Sequence, residues 1–412
     1  MLALFTMAAV MAQRSPEPSQ SQPQTVDEIP LAAQIPLSSF TLPTFPEQAS
    51  HLRSLTLTSD INLNDYQSKH LAPGTFEPST TLPSSITHLT LELFSLGFPA
   101  PFLTELGKNL PNLQSLTIFS CLVDGIDERS RRDAVAFLTS AAISLKEVHV
   151  VDTYARAGFW NEVSQALQSK GNLAILEVSY TYRGHYESDF LNRVGGEEWA
   201  EIINPSLIGL SLNFVPPPPD VEETKMQTEK AEDAELVRAQ DGILPFASDG
   251  RASAALRRKI ELMSGHKKGG ASLNLKVLNL SMFSLRSVEV GEIVYAVAAG
   301  DGSGGLVGIT FSILLETEWF EKLVEGLNHN GAGSALESIE IVGVPVSSGG
   351  ELNATDVEKL LISSDEKIEA LGRTCQKLER FEMTILKSRA IDTVTWTRDG
   401  GRWQLQPSTS AP

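Results

Sequence analysis

A spaced pattern of apolar residues recurs along the chain and predicts a series of short β-strands. In each copy, an apolar residue is followed by two variable positions, a second apolar residue, one variable position and a third apolar residue. The ten copies are Leu52/Leu55/Leu57, Ile86/Leu89/Leu91, Leu113/Leu116/Ile118, Leu145/Val148/Val150, Leu173/Leu176/Val178, Leu207/Leu210/Leu212, Leu275/Leu278/Leu280, Leu306/Ile309/Phe311, Leu336/Ile339/Ile341 and Leu378/Phe381/Met383. Neighbouring copies begin 27 to 42 residues apart, except for one interval of 68 residues that indicates a lost or overgrown unit. Such near-regular spacing predicts a chain built from structural repeats.

Helical periodicity follows several of these strand motifs. Residues 159–167, 290–297 and 319–327 each place apolar side chains on one helical face, and a glycine follows each stretch within a few positions. A strand and a helix with one apolar face each cannot bury that face alone. We therefore expect neighbouring units to stack and share a core.

One copy carries a fuller family signature. Residues 113–123 follow the form LxxLxLxxCxL, with Cys121 at the ninth position of the motif and Val123 at the eleventh. This resembles the leucine-rich repeat family, in its long-repeat, ribonuclease-inhibitor-like and F-box-associated form. The resemblance implies an α/β leucine-rich repeat solenoid over residues 49–390, with a curved parallel sheet inside, helices outside and about ten irregular repeats.

The family's buried Asn or Cys is replaced in most other copies, which predicts irregular repeat geometry. In the family, that residue satisfies the backbone where the strand bends into the following loop. The replacements are Asp60, Phe94, Thr153, Thr181, Phe283, Leu314 and Val344.

Three segments interrupt or flank the repeats. Residues 1–48 are rich in Pro, Ser and Gln from position 13 onward and predict a flexible tail; residues 1–12 fit a signal, a tail or a wrong start. An insertion at 216–272 opens with four prolines, is acidic and then basic, and is expected to be largely disordered with partial helix. Residues 391–412 predict a C-terminal hairpin cap and tail.

The charge and the cysteine count limit the class of partner and the compartment. With 33 Lys+Arg against 51 Asp+Glu, the 412-residue chain has a net charge of −18, which disfavours nucleic acid as the main partner. No apolar run approaches the length of a membrane span, so no membrane partner is expected. Two cysteines are too few for a disulfide scaffold, which favours a cytoplasmic or nuclear protein over a secreted one.

Catalytic and metal signals are weak in this sequence. The glycine-rich residues 300–305 follow a predicted helix and precede a predicted strand, the reverse of a phosphate-binding loop, so a turn is expected there. The seven histidines include no pair at i, i+4 that could share a metal ion. An acid/base set of Glu92, Glu147 and Glu177 is conceivable, but no neighbouring group is visible that would tune it. We expect no enzymatic activity, cofactor or metal.

What remains is a binding surface. Residues that alternate with the repeated leucines should line the concave sheet, and they are small, polar and mildly acidic, which favours a basic protein partner. Tyrosines, a tryptophan and cations near residues 152–190 follow the fourth and fifth motifs and predict an aromatic rim. The candidate partner-binding residues are Phe119, Glu147, His149, Tyr154, Trp160, Glu177, Tyr182, Arg183, His185 and Tyr186.

Two functions fit this surface. The first is a non-enzymatic module that binds a protein through the concave face and the rim. The alternative is a substrate-recognition subunit of an SCF-type ubiquitin ligase, because such repeats resemble the back half of F-box proteins. Residues 42–47 carry only a partial LPxE-like opening, and no recognisable F-box precedes the repeats.

Overall fold

The computed structural model describes residues 32–42, 45, 47–71, 82–141, 143–170, 172–181, 196–215, 250–263, 274–298, 305–316, 318–345, 361–362, 364–385 and 392–406. Within them, 13 strands form a single sheet whose spatial order equals the chain order. The first eleven strands pair in parallel and the last two pair antiparallel. The strands are β1 (Ala32–Leu37), β2 (Ser54–Ser59), β3 (His88–Glu92), β4 (Ser115–Phe119), β5 (Glu147–Val151), β6 (Ile175–Thr181), β7 (Gly209–Val215), β8 (Val277–Leu285), β9 (Gly308–Leu315), β10 (Ser338–Pro345), β11 (Arg380–Ile385), β12 (Asp392–Asp399) and β13 (Arg402–Gln406).

Helices alternate with the parallel strands. From β2 to β11, each pair of consecutive strands is joined by a segment that contains one α-helix in the described ranges. These helices are α1 (Leu63–Leu71), α2 (Phe102–Lys108), α3 (Glu128–Ala141), α4 (Phe159–Lys170), α5 (Gly196–Ile202), α6 (Arg251–Met263), α7 (Ser287–Ala298), α8 (Trp319–Asn328) and α9 (Asp365–Thr374). The three stretches with helical periodicity correspond to α4, α7 and α8, so those predictions are confirmed. From α2 onward each helix contacts the next, which places neighbouring helices side by side.

The apolar residues of the ten sequence motifs form most of the sheet's side of the core. All three apolar residues of every motif are buried, and the second and third lie within strands β2 to β11. These side chains and the apolar faces of the helices belong to one continuous cluster. The predicted α/β class is confirmed as a single, mostly parallel sheet with alternating helices, an arrangement compatible with a repeat solenoid.

Two predicted flexible segments contain regular structure. The tail prediction for residues 1–48 is wrong for Ala32–Leu37, which form β1 and pair in parallel with β2; residues 1–31 lie outside the described ranges. The insertion at 216–272, for which partial helix was expected, contains α6, whose Ala252, Leu256 and Ile260 are buried in the core; residues 216–249 and 264–272 lie outside the described ranges, so the prediction of disorder there stays a prediction. Since β7 pairs directly with β8, the interval of 68 residues corresponds to one overgrown repeat.

A hairpin of β12 and β13 follows the last parallel strand, as the alternating pattern near the C-terminus predicts. β12 pairs antiparallel with β11. Trp396 is 2% exposed and its indole nitrogen donates to the carbonyl of Ile362 at 2.8 Å. The hairpin therefore extends the sheet and covers the apolar end of the last repeat.

The backbone at the strand ends is satisfied by an unexpected residue type. Cys121 contacts the carbonyls of Phe119 and Leu91 through its thiol, as the family pattern implies. In the next repeat, the Thr153 hydroxyl donates toward the carbonyls of Ile118 and Val151, both at 3.0 Å, and accepts from the Cys121 amide. The hydroxyl of Thr153 therefore satisfies the backbone at the position where a buried Asn or Cys was expected.

Candidate functional site

One row of side chains crosses the whole sheet and is polar on every strand. On β2 to β11 these residues occupy the single variable position between the second and third apolar residues of the motif, and on β1, β12 and β13 they are the register partners of that position, so strand alternation directs them away from the leucine core. The polar row consists of Gln34, Thr56, Thr90, Thr117, His149, Glu177, Ser211, Asn279, Thr310, Glu340, Glu382, Thr395 and Gln406, each a register partner of the next. The neighbouring positions on the same face are mixed, with Phe119, Ile175 and Val277 among them.

The centre of the polar row holds an imidazole between two carboxylates. His149 Nδ1 lies 2.8 Å from Glu177 Oε2 on the next strand, and His149 Nε2 lies 3.8 Å from Glu147 Oε2 on the same strand. The side chains of His149 and Glu177 are 18% and 20% exposed, so this cluster is partly shielded but accessible. The structure thus brings together three of the predicted site residues. Both partners of the imidazole are carboxylates, so the His149 ring lies between two acidic side chains.

Ser211, the next residue of the polar row, has an unsatisfied hydroxyl. It is 5% exposed, and its Oγ has no hydrogen-bond partner within the described structure. Its register partners are Glu177 on β6 and Asn279 on β8, both with longer side chains. A buried polar group without a partner costs free energy, about 1–3 kcal/mol, and therefore calls for an explanation. The prediction from sequence did not single out this residue.

A second acidic pair lies further along the polar row. Glu340 and Glu382 are register partners; Thr310 donates to Glu340 at 3.2 Å and Arg380 to Glu382 at 2.6 Å. The pKa of Glu340 is raised, first because the surrounding side chains desolvate the carboxylate and then because Glu382 repels it. Its side chain nevertheless stays accessible to solvent. Ionised Glu340 is thus a site where an added positive charge would be favourable.

The predicted aromatic rim is only partly present in the described residues. Phe119 and Tyr154 are half-buried, and the Tyr154 ring lies 5.7 Å from the ring of Tyr180. The prediction that Trp160 binds a partner is wrong. Its side chain is 3% exposed and packs between Phe159 and Trp199, so it belongs to the core. The remaining candidates, Tyr182, Arg183, His185 and Tyr186, lie outside the described residues.

A buried ion-pair network lies beside the rim. Asp124 is fully buried and accepts from Arg156 Nε at 2.8 Å and from the Arg156 backbone amide at 3.2 Å. Arg131 lies 3.5 Å from the same carboxylate, and Arg156 also pairs with Glu128 at 2.9 Å. The Arg156 guanidinium thus joins two repeats. Arginine is common in binding sites, but the contacts of Arg156 within the fold indicate a structural role.

Both cysteine thiols are buried. Burial raises the pKa of the Cys121 thiol to about 12 and that of Cys375 to about 12, which keeps both thiols protonated and unreactive. Among the described residues, no group of three or more His, Cys, Asp or Glu side chains is arranged to hold a metal ion.

None of the helices in the described ranges has both the length and the apolar character needed to cross a membrane.

Comparison of the chain with models of known protein families and with curated proteins finds no match.

Proposed function

We propose that this chain is a leucine-rich repeat solenoid that binds a protein partner through the sheet face containing the polar row, without catalysing a reaction. The alternation of one helix with each parallel strand supports the architecture. So does the ladder formed by Cys121 and Thr153, which matches the role that the family assigns to that position.

The observation that carries the proposal is the polar row itself. Packing accounts for apolar residues on the core side of each strand, but it does not require a hydrogen-bonding side chain at the same outward position on all 13 strands. An uninterrupted line of donors and acceptors suits a partner that lies across the strands and contacts several repeats at once. Extended surfaces of this kind are how repeat proteins commonly bind.

The charge of this face favours a basic partner. On strands β2 to β11 its carboxylates are Glu92, Glu147, Glu177, Glu340 and Glu382, and its basic residues are Arg380, His88 and His149; the hairpin adds one residue of each sign, Asp399 and Arg402. The whole chain carries a net charge of −18, so long-range attraction acts in the same direction. Complementary charge increases the rate of association and selects among partners.

The test compares two charge-matched double variants. Glu147→Gln/Glu177→Gln removes two carboxylates from the face, whereas Glu366→Gln/Glu369→Gln removes two exposed carboxylates from α9 on the helical side. Immobilised wild-type and variant chains are incubated with the same cell extract, and the bound proteins are quantified by mass spectrometry. We expect at least one protein to be retained by the wild type and the α9 variant and lost from the face variant. Equal retention by all three chains would show that the partner does not use this face.

The ubiquitin-ligase alternative has less support. An F-box would require helices before the repeats, and the described part of that region contains β1 and a short 3₁₀ turn at Glu47–His51. Co-purification of the ligase adaptor with the full chain would favour this alternative.

A further inference from the structure

On the polar-row face of β7, small side chains leave room between the longer side chains of β6 and β8, and we call this place the recess. The residues of β7 that share this face are Gly209, Ser211 and Asn213, and the first two are smaller than their neighbours on β6 and β8. Ser211 therefore lies at the bottom of a trough, between the longer side chains of Glu177 and Asn279. Its hydroxyl is buried and has no hydrogen-bond partner within the described residues, so a ligand that displaces the covering side chains would supply the missing partner.

Gly209 leaves room in the same trough without a backbone reason for doing so. A Cβ atom at this position would meet only Ile175 side-chain atoms, at 3.8 and 4.0 Å, which is ordinary van der Waals contact. Neither a steric clash nor a positive φ angle demands glycine here, in contrast to Gly97, where the φ angle is +78°. Glycine within a strand weakens the strand and often marks a close approach by a ligand or another chain.

The walls of the trough change from apolar to acidic along the strand. Ile175 and Val277, the register partners of Gly209, are half-exposed apolar side chains on either side of it. Two residues further along, about 6.6 Å on, the corresponding wall on β6 is Glu177. One oxygen of that carboxylate accepts from His149, and a carboxylate has capacity for further donors.

An arginine side chain fits this sequence of surfaces. Its aliphatic stem can cover Gly209 between the apolar walls, and its charged head prefers a polar end. The planar guanidinium carries five N–H donors, so it can donate to more than one acceptor. The Glu177 carboxylate and the Ser211 hydroxyl lie on adjacent strands, about 4.8 Å apart, and can accept from the same guanidinium. We propose that the recess formed by Gly209, Ser211 and Glu177 receives one arginine side chain of the basic partner. This inference rests on the proposed function, because it specifies what the sheet face binds.

The probe for this recess is a fluorescein-labelled hexa-arginine peptide, titrated with the full chain by fluorescence polarisation, with hexa-lysine and hexa-glutamine peptides as comparisons. We expect hexa-arginine to bind more tightly than hexa-lysine and hexa-glutamine not to bind. Glu177→Gln should weaken hexa-arginine binding at least about tenfold, because it removes an ion pair, and Ser211→Ala about fivefold, because it removes one hydrogen bond to an uncharged acceptor. Gly209→Val, which fills the trough, should also weaken it, and the smaller Gly209→Ala should have a lesser effect in the same direction.

Controls separate the recess from general attraction to an acidic protein. Glu366→Gln on α9 makes the same charge change on the helical side and should alter hexa-arginine affinity less than twofold. Thermal unfolding checks that each variant is folded; Ser211→Ala should be at least as stable as the wild type because it removes an unsatisfied buried hydroxyl.

Several results would overturn the proposal. Equal losses in Glu177→Gln and Glu366→Gln would show nonspecific attraction, and unchanged binding in both Ser211→Ala and Gly209→Val would show that the recess is not used. Equally tight binding of hexa-lysine would overturn the assignment to arginine. If the recess variants bind the peptide normally while partner capture still depends on Glu147 and Glu177, only the recess assignment fails. If capture is independent of those two glutamates, the proposed function itself fails, whatever the peptide does.

Discussion

Single side chains at equivalent positions of this protein satisfy the same backbone need in different ways. Cys121 occupies the ninth position of its repeat, and Thr153 occupies the same position one repeat later. The Thr153 hydroxyl is completely buried and is shared among two carbonyls and one amide. A hydroxyl has both a donor and two acceptor lone pairs, so it can bridge groups from adjacent strands.

Replacing that hydroxyl should be costly. Thr153→Val keeps the shape of the side chain but leaves the Cys121 amide and a buried carbonyl without their partner, which we expect to lower the free energy of unfolding by about 1–3 kcal/mol. Thr153→Ser retains the hydroxyl and should cost less. Urea unfolding followed by circular dichroism measures both variants; equal stability of Thr153→Val and the wild type would contradict the bridging role.

The sequence predicts where in a repeat a side chain lies, but it does not predict whether an aromatic ring points into the core or toward solvent. Trp160 is adjacent to rim candidates in the chain, but it lies in the first turn of α4, where its ring packs 4.5 Å from that of Trp199. Trp199 belongs to α5, in the next repeat, and the contact is not visible in local sequence. The unpartnered hydroxyl of Ser211 likewise depends on the relative length of side chains on three strands. The motif shows that position 211 is polar, but it does not show that the Ser211 hydroxyl lacks a hydrogen-bond partner.

Helices of neighbouring repeats are joined by carboxylates that cap the preceding helix. Asp133 on α3 accepts from the backbone amides of Leu103 and Thr104 in the first turn of α2, at 2.9 and 3.2 Å, and from the Thr104 hydroxyl. Glu198 on α5 accepts from the backbone amides of Gly158 and Trp160 at the start of α4. Each carboxylate satisfies amides that the helix itself cannot pair, and it faces the positive end of the helix dipole.

Loss of one such cap should destabilise the fold. Asp133→Ala leaves two backbone amides of α2 without an acceptor in a partly buried place, and we expect it to lower the free energy of unfolding by about 2 kcal/mol. Glu369→Ala, an exposed substitution on α9, should change it by less than about 0.5 kcal/mol. Urea denaturation compares the two. A change for Asp133→Ala no larger than for Glu369→Ala would rule out the capping role.

The same carboxyl gives a pH dependence with a defined sign. Burial raises the pKa of Asp133 above its ordinary value of 3.8, although the hydrogen bonds from Thr104 and Leu103 oppose this shift. The folded state therefore holds this proton more tightly than the unfolded chain. Its contribution to the free energy of unfolding is largest below the unfolded pKa and is lost as the pH rises through the folded pKa.

Asp133→Asn removes this titration, so the stability of the wild type relative to Asp133→Asn should fall as the pH rises from about 4. Urea unfolding of both proteins at several pH values measures the difference. Because every other titrating group is common to the two proteins, a difference that rises with pH would contradict the raised pKa.

At the scale of elements, the strands could be predicted more completely than the segments between them. The ten motifs place β2 to β11 because their apolar spacing reflects a core-facing strand in every repeat. β1 carries Pro36 and lacks the motif, so its pairing with β2 could not be recognised. α6 lies in a segment whose charge run suggested disorder, yet Leu256 and Ile260 fall on one face and meet the core. Both β1 and α6 are ordered by contact with a neighbouring repeat, which their local sequence does not show.

Across the whole molecule, one apolar core extends through all repeats and needs covering at its C-terminal end. The β12–β13 hairpin supplies this cover, with Trp396 packed into the core from β12. Terminal units with a polar outer side are a general requirement of stacked repeats. The hairpin could be foreseen from the alternating residues around its Gly400–Gly401 turn, whereas its contact with Ile362 could not.

Removing this anchor should have a large effect. Trp396→Ala deletes a fully buried indole and its hydrogen bond to Ile362, and we expect it to lower the free energy of unfolding by about 3–5 kcal/mol. Trp403→Ala, on β13, removes a half-buried ring and should cost less. Thermal and urea unfolding report both values; a smaller effect at Trp396 than at Trp403 would contradict the capping account.

The central claim is that a partner covers the polar row, and carboxyl footprinting tests it most directly. The full chain, alone and with the protein retained in the capture experiment, is labelled with a carbodiimide and glycine ethyl ester, and each modified glutamate is quantified by mass spectrometry. We expect the partner to reduce labelling of Glu147, Glu177, Glu340 and Glu382 and to leave labelling of Glu366 and Glu369 on α9 unchanged. Unchanged labelling of Glu147 and Glu177, with protection on α9 instead, would contradict it.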